Sequence, residues 1–106
     1  MSQPFVSVLI PAFNHEAYVA QAIESVLHQT WDDFELIVLN DGSRDRTGEI
    51  ARAYSDPRLR YYEHENRGAH ATLNRGLELS RGRAIAILNS DDVYHPGRLA
   101  FLVART

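Results

Sequence analysis

The sequence predicts an α/β fold: a Rossmann-like open sheet of parallel strands with helices on both faces. Three observations carry that expectation. Four short apolar runs alternate with four segments of helical periodicity, and a β-α-β-α order implies parallel strands joined by right-handed crossovers. The run Leu36–Leu39 carries no polar residue, as expected of a strand covered on both faces. Two strands end abruptly in acidic residues, and in a parallel sheet the carboxyl ends of the strands face the ligand.

The first strand is Val6–Ile10, closed by Pro11. Tyr18–His28 follows as a helix, with Val19, Ala22, Ile23, Val26 and Leu27 on one face. Trp31 and Phe34 are expected to pack beneath it. The second strand, Phe34–Asn40, leads into Asp41-Gly42-Ser43. A helix over Arg44–Tyr54 comes next, with Ile50, Ala51 and Tyr54 inward. Ser43 or Asp41 is a candidate cap, and Asp45 suits its first turn. Asp56-Pro57 ends it, because proline confines the preceding residue to extended geometry.

Leu59–Tyr62 is a short third strand. Ala69–Ser80 forms a third helix with Ala69, Thr72, Leu73, Gly76 and Leu77 on one side, and Gly82 stops it. The fourth strand, Arg83–Leu88, runs into Asn89-Ser90-Asp91-Asp92. Pro96 opens a last helix through Leu99, Leu102 and Val103. A sheet growing both ways from its first strand has spatial order 3-2-1-4. Its switch point then gathers the loop Pro11–Asn14, Asp41, and Asn89–Asp92 around one crevice.

The bulk properties exclude several classes of function. At 106 residues the chain is one domain or part of one, able to bury roughly 65% of its unfolded surface. Net charge is −3, so no basic footprint for nucleic acid or anionic lipid exists. Cysteine is absent, which excludes disulfides and thiolate metal sites. No signal peptide or membrane-length apolar stretch is visible, and a cytoplasmic location is the expectation. The Gly-x-Gly-x-x-Gly, Gly-x-x-x-x-Gly-Lys-Ser/Thr and Gly-x-Ser-x-Gly signatures are all missing.

The acidic strand ends would repel a bare phosphate but suit a divalent cation, and through it a diphosphate. Oxygen ligands of this kind favour Mg²⁺ or Mn²⁺. Asp91 and Asp92 are the metal-ligating candidates, with no basis for choosing between them. For Asp41 two readings stand side by side: bonding local backbone N–H groups, or accepting a hydrogen bond from a nucleobase imide. Phe13 and Tyr18 are candidates for stacking on a base, and Arg67, beside Gly68, for reaching a phosphate. The five histidines show no metal-ligand spacing and read as surface or capping residues.

Five blocks together resemble the family-2 inverting glycosyltransferases: Val6–Asn14, Ala22–Gln29, Asn40–Ser43, Glu65–Gly68, and Leu88–Asp92 with Pro96–Leu99. The resemblance implies a GT-A fold and a UDP- or GDP-sugar donor bound with Mn²⁺ or Mg²⁺. It implies that Asp41 reads the base and that Pro11, Ala12 and Phe13 line the nucleoside. Asn89, Ser90, Asp91 and Asp92 match the Asp-x-Asp block for metal and ribose, with Asn89 replacing the first acid. Arg67 falls near a phosphate-contacting position.

In such enzymes the general base lies downstream of the metal block. The expectation for residues 1–106 is therefore the nucleotide-sugar-binding half, with no catalytic base and no turnover alone. The edge Ala84–Leu88 would be left open, which predicts concentration-dependent dimerisation. The rival expectation is a non-catalytic nucleotide-binding or assembly module that keeps the fold without the chemistry.

Overall fold

The computed structural model describes residues 3–105. Its elements are β1 (Val6–Ala12), α1 (Val19–Leu27), β2 (Phe34–Asp41), α2 (Thr47–Arg52), β3 (Leu59–His64), α3 (Ala69–Leu79), β4 (Ala84–Ile87) and α4 (Arg98–Ala104). All strand pairs are parallel and the sheet order is β3-β2-β1-β4, as the alternation of elements predicts.

Strand periodicity divides the core. Val8, Ile10, Leu36 and Val38 face one side, where α1 lays down Val19, Ala22, Ile23 and Val26, and where Ala51 and Leu99 join from α2 and α4. Leu9, Ile37 and Leu39 face the other side, beneath α3. All of these side chains are buried, so β1 and β2 need apolar residues at consecutive positions. Phe34 joins the first cluster, and Trp31 packs edge-on against Phe5 at 6.1 Å between ring centres. α3 approaches closely because Gly76 has no side chain: a Cβ there would meet Leu9 and Leu39 methyl carbons at 3.0 Å.

Several details differ from the sequence expectation, among them β3, which runs on to His64, and α4, which starts at Arg98 and not at Pro96. β1 continues through Pro11 to Ala12. The Leu9 carbonyl already accepts from the Leu88 N–H on the β4 side, and Pro11 faces that same side two residues on, where β4 has ended. Its missing N–H therefore costs no ladder bond. α2 starts at Thr47, not Arg44, because the Asp45 carboxylate accepts from the Thr47 backbone N–H at 2.9 Å. Leu77 does not turn inward. α3 presses on the sheet along Thr72 and Gly76, and Leu77 stays half exposed.

The end of the sheet remote from the carboxyl tips is closed by a charged cluster. The buried Glu35 carboxylate accepts from Ser7 Oγ (2.6 Å), Arg60 Nη1 (2.7 Å) and the Arg81 backbone N–H (2.6 Å). Burial alone would raise its pKa. The Ser7 hydroxyl, the Arg81 N–H and the Arg60 guanidinium outweigh burial and hold it below the ordinary glutamate value. Among the described residues no helix is long and apolar enough to cross a membrane.

Candidate functional site

The loops at the carboxyl ends of the strands are tied to one another. Asn14 takes a positive φ of 52°; its N–H donates to Ser43 Oγ (2.9 Å) and its side-chain oxygen accepts from the Arg44 N–H (2.8 Å). The next residue, His15, donates its N–H to Thr47 Oγ1 at 2.9 Å. These bonds pin the turn after β1 to the turn after β2. Gly42 makes the tight exit from β2, with φ of 69°; a Cβ at this position would sit 2.5 Å from the Asn66 nitrogen.

Within this frame Asp41 is almost fully enclosed. Oδ1 accepts from the Arg67 backbone N–H (2.8 Å) and from His64 Nε2 (3.0 Å). Oδ2 accepts from the Gly68 N–H (3.1 Å) and at long range from Asn66 Nδ2 (3.4 Å). Burial would raise the pKa of this carboxyl. The Arg67 N–H, the Thr72 hydroxyl, His64 and the Gly68 N–H reverse that and hold it below the usual aspartate value. Backbone bonding by Asp41 is thus real, although its partners are residues 67 and 68 and not the start of α2.

His64 corrects the expectation of a surface histidine. Its side chain is 4% exposed, and it lies directly opposite Asp41 in the β2–β3 register. Arg75 Nη1 donates to His64 Nδ1 at 2.7 Å. A guanidinium can only donate, so Nδ1 holds the lone pair and Nε2 carries the hydrogen aimed at Asp41. His15 keeps a side chain that is 35% exposed, yet it too has partners. Its Nδ1 lies 2.5 Å from Ser90 Oγ, and its Nε2 lies 3.9 Å from Asp91 Oδ2.

A cavity of about 500 Å³ opens at the switch point between β1 and β4. It brings together Pro11, Ala12, Phe13, Asp41, Asn89, Ser90 and Asp91, all expected from sequence. Arg67 and Asp92 do not line it. Arg67 contributes its backbone to Asp41, and Asp92 Oδ1 accepts the N–H of its neighbour Val93 at 2.8 Å. His15, Asn66, Gly68, Ala69 and Thr72 complete the lining. Phe13 is 44% exposed at the rim, and Ser90 is buried beneath it all.

Residues 7–105 match the model of Glycosyl transferase family 2. The chain belongs to this family. Similar family members include the uncharacterized glycosyltransferase RT0329 of Rickettsia typhi, 41% identical over 96 residues, covering 91% of this chain and 30% of that protein. Glycosyltransferase GlyA of Streptococcus pneumoniae is 38% identical over 89 residues, covering 82% of this chain and 13% of that protein. The chain therefore spans less than a third of the length of these relatives.

Two solved structures share the fold. TarS of S. aureus, residues 1–349 in complex with UDP-GlcNAc, superposes with a TM-score of 0.88 at 27% identity, covering 94% of this chain and 30% of that one. The mannosyltransferase PcManGT of Pyrobaculum calidifontis, in complex with GDP-Man and Mn²⁺, gives 0.85 at 25% identity, covering 96% and 32%. The Rossmann-like GT-A architecture expected from sequence is thus the architecture found.

A divalent cation is common in this family, and the donors here suit one only in a limited way. No three His, Cys, Asp or Glu side chains among the described residues gather into a metal-holding group. Asp91 offers a half-exposed carboxylate on the cavity wall. One or two carboxylates completed by substrate phosphates and water is the ordinary manner of holding Mg²⁺, so the donor set fits a cation that arrives with a diphosphate.

Proposed function

We propose that this chain binds the nucleotide part of a nucleotide-diphosphate sugar and is the donor-binding half of an inverting glycosyltransferase. One observation carries the reading: Asp41 and Asp91, from opposite halves of the sequence, line a single cavity at the carboxyl end of the sheet. That position is where open α/β sheets bind ligands.

In this reading Phe13 stacks on the base from the rim, Asp41 accepts a base N–H, and Pro11 and Ala12 shape the nucleoside wall. The Asn89 amide bonds the ribose. Asp91, with Asp92 adjacent, holds Mn²⁺ or Mg²⁺, and Arg67 stands near enough in sequence to meet a phosphate as the Glu65–Gly68 loop adjusts. The cation, when bound, would offset the charge of the departing diphosphate. No residue of this chain is assigned as the general base that deprotonates the acceptor hydroxyl. The β4 edge, where Ile85 and Ile87 stay exposed, supports self-association of copies of this chain.

Calorimetric titration with UDP and GDP, with and without Mn²⁺, tests the proposal. Binding that needs Mn²⁺ and weakens in Asp91→Ala is expected. Metal-independent binding that ignores Asp91→Ala would favour a nucleotide-binding module without transfer chemistry. No binding of either nucleotide would remove the donor-site reading.

A further inference from the structure

We propose that the His15 side chain is a second protein ligand of the divalent cation, beside Asp91, and that this nitrogen donor favours Mn²⁺ over Mg²⁺. The inference rests on the reading that a cation arrives at Asp91 with a nucleoside diphosphate. It follows from where the two ring nitrogens of His15 lie.

His15 is held in place before any ligand arrives. Its backbone N–H donates to Thr47 Oγ1 at 2.9 Å, and the next N–H, of Glu16, donates to Asp45 Oδ2 at 3.1 Å. Its ring meets Tyr18 edge-on, with 6.2 Å between centroids. Nδ1 sits 2.5 Å from the hydroxyl oxygen of the buried Ser90. These contacts set the ring plane and aim the opposite nitrogen. Nε2 has no hydrogen-bond partner among the described residues, and the side chain lines the cavity.

The distance to Asp91 decides the role. Nε2 and Asp91 Oδ2 stand 3.9 Å apart, too far for a hydrogen bond. Two donors that each sit about 2.1 Å from one cation lie about 3.0 Å apart at right angles and about 4.2 Å apart when opposite. The observed separation falls inside that window, so both atoms reach one ion without rearrangement. Asp92 has no such claim: it does not line the cavity, and its Oδ1 accepts from the Val93 N–H at 2.8 Å.

A ligating imidazole usually donates its other N–H to an oxygen, which fixes the tautomer and the ring orientation. Ser90 Oγ is that oxygen here. With the hydrogen on Nδ1, the hydroxyl accepts and Nε2 turns its lone pair towards Asp91. The remaining positions fall to diphosphate and water. Imidazole is a ligand for transition-metal ions, whereas Mg²⁺ demands oxygen. Spacing along the chain hides the pair, because residues 15 and 91 meet only through the adjacency of β1 and β4.

The test reads the ligand directly. Mn²⁺ is added to the full chain with UDP, and in parallel with GDP, and electron spin-echo envelope modulation is recorded for nitrogen nuclei coupled to the ion. Modulation from a directly bound imidazole nitrogen is expected in the unaltered chain, and its loss in His15→Asn. Calorimetry with the same nucleotides should show Mn²⁺ supporting binding at least about tenfold better than Mg²⁺, the least that losing a supporting partner of a metal ligand usually costs. That ratio should collapse in His15→Asn. The spectrum of the unaltered chain stands whether or not the variant folds. Nucleotide binding without nitrogen modulation, or modulation that survives in His15→Asn, would overturn the His15 ligand while leaving the nucleotide site standing. Failure of both nucleotides to bind would overturn both.

Discussion

Replacing Asp41 with alanine should destabilise the fold before any ligand is involved. Three donors converge on this carboxylate at 2.8, 3.0 and 3.1 Å. Two of them, the Arg67 and Gly68 N–H groups, belong to exposed residues and regain water when the carboxylate goes. Each then loses only the net worth of a hydrogen bond, about 0.5–1.5 kcal/mol. The third, His64 Nε2–H, is buried and keeps only the Thr72 hydroxyl at 3.2 Å, so it bears a desolvation cost of about 1–3 kcal/mol. The expected loss is about 2–6 kcal/mol, a large share of the stability of a small domain. Asp41→Asn retains one acceptor oxygen but sets an amide against a backbone donor, and should cost less than alanine. Urea unfolding with an unchanged m-value measures both. A cycle with His64→Ala should return a coupling of about 1–2 kcal/mol. A loss below about 0.5 kcal/mol for Asp41→Ala would refute the view that this side chain organises the residue 64–68 loop.

Gly42→Ala forces a side chain into a left-handed backbone and against the Asn66 nitrogen, at 2.5 Å from the ideal Cβ; about 2 kcal/mol, or roughly 10 °C in Tm by calorimetry, is expected. Glu35 has a folded pKa below its ordinary value of 4.5, so its contribution is complete above that value and is lost as pH falls through the lower folded one. Glu35→Gln should accordingly flatten the acid limb of a stability–pH curve measured by urea unfolding. Light scattering should show apparent mass rising with concentration, and Ile87→Lys on the β4 edge should abolish the rise; a strict monomer at high concentration would count against association through this edge.

Strand identity, sheet order and most of the cavity wall were legible in the sequence because they depend on local patterns plus one topological rule. Apolar runs of period one marked the doubly covered β1 and β2, and the alternation with helices set the order that brings Asp41 to Asp91. The two histidines were not legible. His64 has no neighbour in sequence that marks it, and its meaning comes from lying opposite Asp41 across the β2–β3 register. His15 meets Ser90 only because β1 and β4 are adjacent. The cap of α2 was misjudged for a similar reason: Asp41 is drawn across to residues 67 and 68, leaving Asp45 to start the helix. Leu77 fitted the apolar face of its helix, yet Gly76 decides where α3 touches the sheet.

The placement of β1 has a consequence for biogenesis. Val6 pairs with Phe34 on one flank and with Ala84 on the other. During synthesis β1 therefore emerges ahead of β2, β3 and the helices between them, and its second neighbour, β4, leaves the ribosome only after all of these. Nascent chains would hold an incomplete sheet for that interval, with a sticky backbone rim open to chaperones or to other nascent copies. Pairing over such a sequence separation slows folding and lengthens the time for which that rim stays open.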